Sequence, residues 1–347
     1  MGRRSPDGPN PQKKDFHGYD SRSTPSPWMG FPFPFCTSPG RSPGAACNQR
    51  NMLIQRRPSG VEIRAPAKVN LFLEVLAKRP DGYHDIATLM TAVSLYDTLE
   101  FTEEPSGTIE LRCDDPSLDC GPTNLVCRAA ERLRQHTGTK RGARIHLRKR
   151  IPMAAGLAGG SSDAAATLAG LNELWGLGLK SEALARIGSE IGSDVAFFFA
   201  TPVAWCTGRG EIVTSVKLAR PLDLLLVCPP MGLATADVYR NVTVPQKSES
   251  GDEIRRAAAA GDVEEMGRRL HNRLQPAAEK LCPPIAAWQR RLEQLHPVGT
   301  AMSGSGSSLF ALCRNRLEAL AIARELRRPA RETESTGGRM FLVRSCV

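Results

Sequence analysis

The sequence predicts an α+β protein in which two domains follow an irregular amino-terminal segment. A chain of 347 residues, 41% apolar and 24% charged, has enough material for one large or two ordinary domains. Strand-sized apolar runs alternate with helical patterns in both halves, without an internal repeat. The halves meet near Pro221, so the predicted domains are 59–219 and 220–347.

The first 58 residues predict a disordered tail. They hold 10 of the 26 prolines and show no period of 2 or 3.6 residues. They lack the apolar stretch of about 7–15 residues that marks a secretory signal. Their Arg and Ser content faintly resembles a plastid transit peptide, which is the alternative to the cytoplasmic location that we predict. Met52 is an alternative start, and residues 1–51 are predicted to be dispensable.

The amino-terminal domain is predicted to combine strands with three helices. A helix capped by Thr123 or Asn124 runs to about Gln135. The next helix runs from Ser161 to about Trp175, and a short one covers Ser181–Ile187. The predicted strands are Val61–Arg64, Val69–Leu76, Asp97–Thr102, Thr108–Arg112 and Arg144–Leu147.

The carboxy-terminal domain begins with an apolar strand that two prolines end. That strand is Leu222–Cys228. Later strands are predicted at Thr300–Ser303, Leu309–Leu312 and Met340–Arg344. The predicted helices are Asp252–Ala260, Val263–Leu274, Ile285–Leu295 and Leu317–Leu326.

The charge balance leaves a basic RNA-binding module as an alternative function. The formal net charge is +10, of which +6 lies in residues 1–60 and +4 in the rest. Aromatic residues make up 5% of the chain, fewer than expected for a basic stripe with interleaved aromatics. No apolar run approaches the roughly 20 residues of a membrane span. Neither nucleic acid nor a membrane is therefore a predicted partner.

The ten cysteines do not predict a disulfide framework or a metal site. There is no CxxC pair. Cys113, Cys120 and Cys127 recur every seven residues, but no His or Cys nearby completes a tetrahedral zinc set. Thiols in a reducing compartment are the simplest interpretation.

A glycine-rich segment lies between a predicted strand and a predicted helix. Glycines let backbone N–H groups approach a ligand, and a helix N-terminus adds unpaired donors with partial positive charge. The segment lacks the Lys of a Walker A loop and the residue order of a Rossmann fingerprint. A plain turn before an Ala-rich helix is the alternative. The residues predicted to hold phosphate are Pro152, Met153, Ala154, Ala155, Gly156, Leu157, Ala158, Gly159, Gly160, Ser161 and Ser162.

Three further segments carry polar or flexible residues in unusual places. Lys68 lies inside the apolar run APAKVNLFL at 65–73, where a buried charge would need a partner and a strand-edge lysine is the alternative. DGYH follows at 81–84 and IGSDVAFF at 191–198. MSGSGSSLF at 302–310 alone would be a flexible turn.

Together these segments resemble the motifs of the GHMP kinases, the superfamily of galactokinase, homoserine kinase, mevalonate kinase and phosphomevalonate kinase. The glycine-rich segment is similar to the second motif, Pro-x3-Gly-Leu-x-Gly/Ser-Ser-Ser, with Ala154, Ala155 and Ala158 where many members have Gly. MSGSGSSLF resembles the third motif. APAKVNLFL with DGYH resembles the first motif of one member family, the diphosphocytidyl-methylerythritol kinases, and other members lack DGYH. The resemblance covers residues 61 to about 345.

The resemblance implies a fold and an activity. The fold is an amino-terminal domain like the second domain of ribosomal protein S5, packed on a ferredoxin-like domain, with the site between them. The activity is ATP-dependent phosphorylation of the C2 hydroxyl of 4-diphosphocytidyl-2-C-methyl-D-erythritol, a step of the non-mevalonate isoprenoid precursor pathway. Another GHMP kinase of the mevalonate or homoserine type is the nearest alternative. A monomer or weak homodimer is expected.

The resemblance also assigns roles. IGSDVAFF is similar to the G-[AS]-D-[VI]-P-F segment, so Asp194 is the candidate base, although Ala196 replaces the usual Pro. Lys68 would lie beside Asp194, keep it ionised and stabilise the γ-phosphate. Mg²⁺ would bind through the ATP phosphates, with Ser161 or Ser162 as a further contact and no assigned protein ligand.

The substrate site follows from the same resemblance. Tyr83 and Tyr239 would stack on the two faces of the cytosine, while His84 bonds its edge. For Tyr239, core packing at the start of a helix is the alternative. Asn70 would meet the methylerythritol hydroxyls. The remaining predicted substrate contacts are Thr235, Ser305 and Gly306.

Overall fold

Two β-sheets organise the residues that the structure, a computed structural model, describes: 52–200, 202–328 and 337–346. The first sheet contains β1 (Leu53–Arg57), β2 (Gly60–Lys78), β3 (His84–Glu104), β4 (Ile109–Cys113), β5 (Gly142–Arg148), β6 (Val203–Gly208), β7 (Ile212–Ser215) and β9 (His271–Asn272). The second contains β8 (Asp223–Cys228), β10 (Gly299–Met302), β11 (Leu309–Cys313) and β12 (Arg339–Arg344).

Helices pack against both sheets, as the α+β prediction requires. Three belong to the first half: α1 (Leu125–Thr137), α2 (Gly159–Trp175) and α3 (Ser181–Ser189). The others are α4 (Thr235–Arg240), α5 (Asp252–Ala260), α6 (Val263–Arg268), α7 (Gln275–Leu281), α8 (Pro284–Glu293) and α9 (Arg316–Arg327). None of the helices in the described ranges is long and apolar enough to cross a membrane.

The second sheet has the topology of a ferredoxin-like fold. Its strand order is β10-β11-β8-β12, and every pair is antiparallel. Helices separate β8 from β10, a short loop joins β10 to β11, and α9 leads to β12. This β-α-β-β-α-β order matches the predicted carboxy-terminal fold.

Two long strands replace the shorter ones predicted in the first half. Val61–Arg64 and Val69–Leu76 belong to one 19-residue strand, β2, with register shifts at Pro66/Ala67, Asn70/Phe72 and Val75/Ala77. A shift at Pro66 is expected because proline cannot donate to the ladder. The first half of β3 was not predicted, since its side chains are buried on both faces and show no polar alternation.

The predicted disordered tail, residues 1–58, wrongly included one strand. β1 lies within residues 1–58 and pairs with β2 through contacts such as Ile54 opposite Ile63. Met52 and Ile54 are buried. A five-residue strand gains its stability from pairing with a neighbour, so composition and proline content did not indicate it. Residues 1–51 lie outside the described ranges.

The helix predicted at Val263–Leu274 was also wrong in its second half. α6 ends at Arg268, and β9 then pairs with β2 in parallel, Phe72 opposite His271. An ion pair holds β9 against β2, because Arg273 donates two hydrogen bonds of 2.7 and 2.8 Å to the buried Glu74. β9 thus joins the first sheet although its residues lie in the predicted second domain; the domain boundaries stay a prediction.

Candidate active site

One cavity of about 1100 Å³ brings together most of the predicted site residues. Its walls come from β2, the loop before α2, the turn after α3 and the start of α4. The predicted residues in its lining are Lys68, Asn70, Tyr83, His84, residues 152–161, Asp194, Thr235, Tyr239 and Ser305.

The glycine-rich loop is held at Gly156, which has a φ of 75°. A Cβ at this position would come within 2.0 Å of the Ser303 carbonyl oxygen, so only glycine fits. The Gly156 carbonyl accepts hydrogen bonds of 3.0 Å from both Lys68 Nζ and Ser303 Oγ. The loop is therefore fastened to β2 and to the turn that follows β10.

Two alanines of this loop occupy the left-handed region, Ala154 with a φ of 49° and Ala158 with a φ of 53°. For a residue with a Cβ this conformation costs roughly 1–2 kcal/mol. Surrounding contacts must therefore hold the loop in place.

The two serines at the start of α2 differ in their surroundings. Ser161 lines the cavity. Ser162 is fully buried, its Oγ donates to the Pro66 carbonyl at 2.6 Å, and its N–H donates to Ala158. Both polar groups of Ser162 are thus occupied inside the protein. The predicted phosphate contact of Ser162 is corrected to an anchor between α2 and β2.

Lys68 lies beside Asp194, as predicted, with 3.7 Å between Nζ and Oδ2. The lysine side chain is 5% exposed and that of Asp194 is 32% exposed, so the carboxylate is the accessible partner. Burial lowers the pKa of Lys68, and the charge of Asp194 opposes that shift. The pair places a cation and an accessible proton acceptor on one wall of the cavity.

The turn that carries Asp194 forms with Ala196 in place of proline. A 3-10 turn covers Ala196–Phe199, and Phe197 and Phe198 are fully buried. Their rings meet edge to face with centroids 5.2 Å apart. These aromatic anchors hold the turn in the core and leave Asp194 at the cavity wall.

Asn70 has an orientation fixed by two neighbours. Its Oδ1 accepts from Lys68 Nζ at 2.6 Å, and its Nδ2 donates to Thr88 Oγ1 at 2.8 Å. The Thr88 hydroxyl donates in turn to the Phe72 carbonyl at 2.6 Å. Asn70 therefore also positions Lys68. Thr88, on β3, was missed because no motif surrounds it.

The aromatic end of the cavity contains the three predicted base contacts and one arginine. The rings of His84 and Tyr239 lie 5.3 Å apart at 31°. Tyr83 is 54% exposed, and the Arg209 guanidinium lies 5.0 Å from its ring centroid. Burial lowers the pKa of His84, which favours the neutral ring, and burial with the nearby Asp194 raises that of Tyr239. Sequence analysis missed Arg209, which stands in the turn after β6.

Asn272, which belongs to none of the sequence motifs, supports the turn after β10. Asn272 Nδ2 donates to the carbonyls of Met302 and Gly304 at 2.7 and 2.8 Å. Ser305 Oγ lies 3.0 Å from Thr235 Oγ1, so these two predicted contacts meet. Gly306 does not line the cavity. Its predicted substrate contact is thus corrected to a turn position, where an added Cβ would come 2.5 Å from the Met302 sulfur.

The cavity offers few protein ligands for a divalent cation. No group of three or more His, Cys, Asp or Glu residues in the described part of the chain is arranged to hold a metal. Of the donors beside the loop, the Asp194 carboxylate and the Ser161 hydroxyl are accessible, whereas the Asp163 carboxylate is 4% exposed and pairs with Lys149. This set fits Mg²⁺, which typically takes one or two carboxylates and fills its other positions with phosphate oxygens and water.

Comparison with known proteins agrees with this geometry. The GHMP kinases N terminal domain matches residues 124–201, and the GHMP kinases C terminal domain matches residues 254–332. A solved homoserine kinase from Cytophaga hutchinsonii has the same fold, with a TM-score of 0.66 at 18% identity over 84% of this chain and 96% of its own.

The more similar relatives share one name. A 4-diphosphocytidyl-2-C-methyl-D-erythritol kinase of Pelotomaculum thermopropionicum is 41% identical over 267 residues, 76% of this chain and 93% of the relative. That of Exiguobacterium sibiricum is 42% identical over 252 residues, 72% and 88% of the two chains. A crystal structure of 4-(cytidine 5'-diphospho)-2C-methyl-D-erythritol kinase aligns with a TM-score of 0.67 at 33% identity, covering 82% of this chain and 99% of its own. With this similarity over almost the whole length of its relatives, the chain belongs to the 4-diphosphocytidyl-2-C-methyl-D-erythritol kinase family of GHMP kinases.

Proposed function

We propose that this kinase transfers the γ-phosphoryl group of ATP to the C2 hydroxyl of 4-diphosphocytidyl-2-C-methyl-D-erythritol. One observation carries the proposal: the Lys68–Asp194 pair lies in the same cavity as the glycine-rich loop and the aromatic end. The loop suits a triphosphate and the aromatic end suits a base. A substrate hydroxyl between the loop and the aromatic end would face the Lys68–Asp194 pair.

The chain's own groups account for the transfer. Asp194 accepts the proton as the hydroxyl oxygen bonds to the γ-phosphorus and the bond to the β-phosphate oxygen breaks. Lys68 stabilises the charge on the transferred group. A loose transition state needs positioning more than a strong base, so an accessible carboxylate paired with a lysine suffices. Mg²⁺, held by the ATP phosphates with Ser161 as a further contact, would neutralise phosphate charge.

The aromatic end of the cavity would determine substrate specificity. Tyr83 is exposed and contacts Arg209 through its ring, while Tyr239 offers a second ring beside His84. The neutral His84 can bond the base edge. Arg209 supplies a cation at the same end, which suits a ligand with a diphosphate.

A substrate panel tests the proposal. The purified protein should release ADP with 4-diphosphocytidyl-2-C-methyl-D-erythritol and not with mevalonate or homoserine. Turnover of mevalonate or homoserine alone would favour the alternative GHMP activities. RNA binding without ADP release would favour the basic module. The oligomeric state, the cytoplasmic location and the absence of nucleic acid and membrane partners stay predictions.

A further inference from the structure

A buried ion cluster lies beneath the glycine-rich loop. Lys149 Nζ is 2.5 Å from Asp97 Oδ2 and 2.8 Å from Asp163 Oδ2. The three side chains are 5%, 0% and 4% exposed. The cluster belongs to none of the motifs that indicated the function, yet Lys149 and Asp163 line the cavity.

The cluster fastens both ends of the loop to β3. On the entry side, Asp97 Oδ1 accepts the backbone N–H groups of Arg150 and Ile151 at 2.6 and 2.9 Å. On the exit side, Lys149 pairs with Asp163 in α2. Gly159 makes room for this arrangement, because a Cβ there would lie 3.2 Å from Lys149 Nζ. The loop between these two anchors is the one expected to surround the ATP phosphates.

Stability does not explain such a cluster. Desolvation costs several kcal/mol per buried ion. Well-packed apolar side chains in the same place often stabilise a protein as much as the ions do. The loop, however, has a specific need, because Ala154 and Ala158 occupy an unfavourable backbone region. Fixing both ends of the loop restricts the other conformations that it could adopt.

We propose that Lys149, held by Asp97 and Asp163, is a positioning residue that keeps the glycine-rich loop in its nucleotide-binding conformation. Its ammonium group is occupied by two carboxylates, so it acts through the loop. The inference rests on the proposed function only in requiring an ATP site, and it is independent of which alcohol accepts the phosphate.

Calorimetry with a non-hydrolysable ATP analogue, together with both KM values, tests the proposal. Lys149→Met should weaken binding of the analogue by about tenfold and raise the KM for ATP by a similar factor. The KM for the diphosphocytidyl substrate should stay within about twofold of the parent value. Asp97→Asn keeps the side-chain volume and should act in the same direction, which provides the test should Lys149→Met not fold. Lys140→Met, at an exposed position before the same strand, is the control and should change neither value.

Equal increases of both KM values in Lys149→Met and Asp97→Asn, or analogue binding within twofold of the parent, would overturn the positioning role. A parent protein that binds no analogue would instead count against the proposed kinase activity.

Discussion

Lys68 and Asp194 show how a pair of ordinary side chains becomes a reaction centre. Lys68 is buried, and its ammonium group is directed by Asn70 and the Gly156 carbonyl. Asp194 stays accessible on an anchored turn. The lysine motif and the Asp194 segment could be recognised in the sequence. The contacts that support Asn70 and the Gly156 carbonyl could not, because Thr88 reaches Asn70 through sheet register and Ser303 reaches Gly156 through loop packing.

The first prediction concerns this pair. Asp194→Asn should lower kcat by roughly 10²-fold or more, the scale of losing a general base. Binding of an ATP analogue should hardly change, because the loop is untouched. Lys68→Met should also be severe, and the double variant should lose less than the product of the two effects if both groups serve one transition state. Turnover of Asp194→Asn within about threefold of the parent would remove Asp194 from the role of base.

The second prediction concerns the choice of substrate. Tyr83 is exposed, so Tyr83→Ala should leave the fold intact. Stacking on an aromatic ring is worth roughly 1–3 kcal/mol per base, so the KM for the cytidine substrate should rise by about one to two orders of magnitude. The KM for ATP should stay constant, and Tyr83→Phe should keep the parent values.

His84→Ala complements that experiment. Loss of the imidazole should raise the same KM and narrow the preference for cytosine over uracil in substrate analogues, because hydrogen bonds at the base edge distinguish the two. An increase confined to the KM for ATP would place DGYH in the nucleotide site and contradict the assignment.

Among the elements, most of the helices were predicted, whereas the helix α7, the strands β1, β6, β7 and β9 and the first half of β3 were not. α1 has the predicted cap, with Asn124 Oδ1 accepting the Val126 N–H, and α2 begins two residues before the predicted Ser161. Periodicity identifies such elements because one face contacts the core. β3 and β9 lack this signal, since the first half of β3 is buried on both faces and β9 has only two residues.

The third prediction tests β9. Asn272→Leu removes both donors to the turn after β10 and leaves the Met302 and Gly304 carbonyls unpaired, at a cost of about 1–3 kcal/mol each. The turn lies against Lys68, because a Cβ on Gly304 would stand 3.1 Å from Nζ. We expect kcat to fall by about tenfold or more, since small misplacements near the reacting groups are costly.

A matched variant separates positioning from stability. Asn315 caps α9, away from the cavity, by accepting the N–H groups of Leu317 and Glu318. Asn315→Ala should lower the free energy of unfolding by about 1 kcal/mol and leave kcat unchanged. If Asn272→Leu loses stability but keeps kcat, as Asn315→Ala should, the turn does not depend on Asn272 for catalysis.

At the scale of the molecule, the two sheets are joined where the carboxy-terminal strand ends. Val93 forms a bridge with Ser345, and the Cys346 N–H donates to the Ala92 carbonyl at 2.8 Å. The site also takes residues from both halves, as Thr235 and Ser305 face Lys68 and Asn70 across one cavity. A site between two halves followed from the family resemblance, whereas the hydrogen bonds that join the sheets depend on distant backbone groups that leave no local pattern.

The last prediction concerns the amino-terminal boundary. A chain that starts at Met52 should keep the kcat and midpoint of urea unfolding of the full chain, because the residues it lacks, 1–51, are the ones predicted to be dispensable. A chain that starts at Gly60 also lacks β1, and with it the buried Met52 and Ile54. Full burial of such side chains is worth about 1.5–3 kcal/mol each, so the free energy of unfolding should fall by up to about 3–6 kcal/mol. Equal stability of the two shortened chains would show that β1 contributes little to the sheet, and loss of activity in the longer one would show that residues 1–51 are needed.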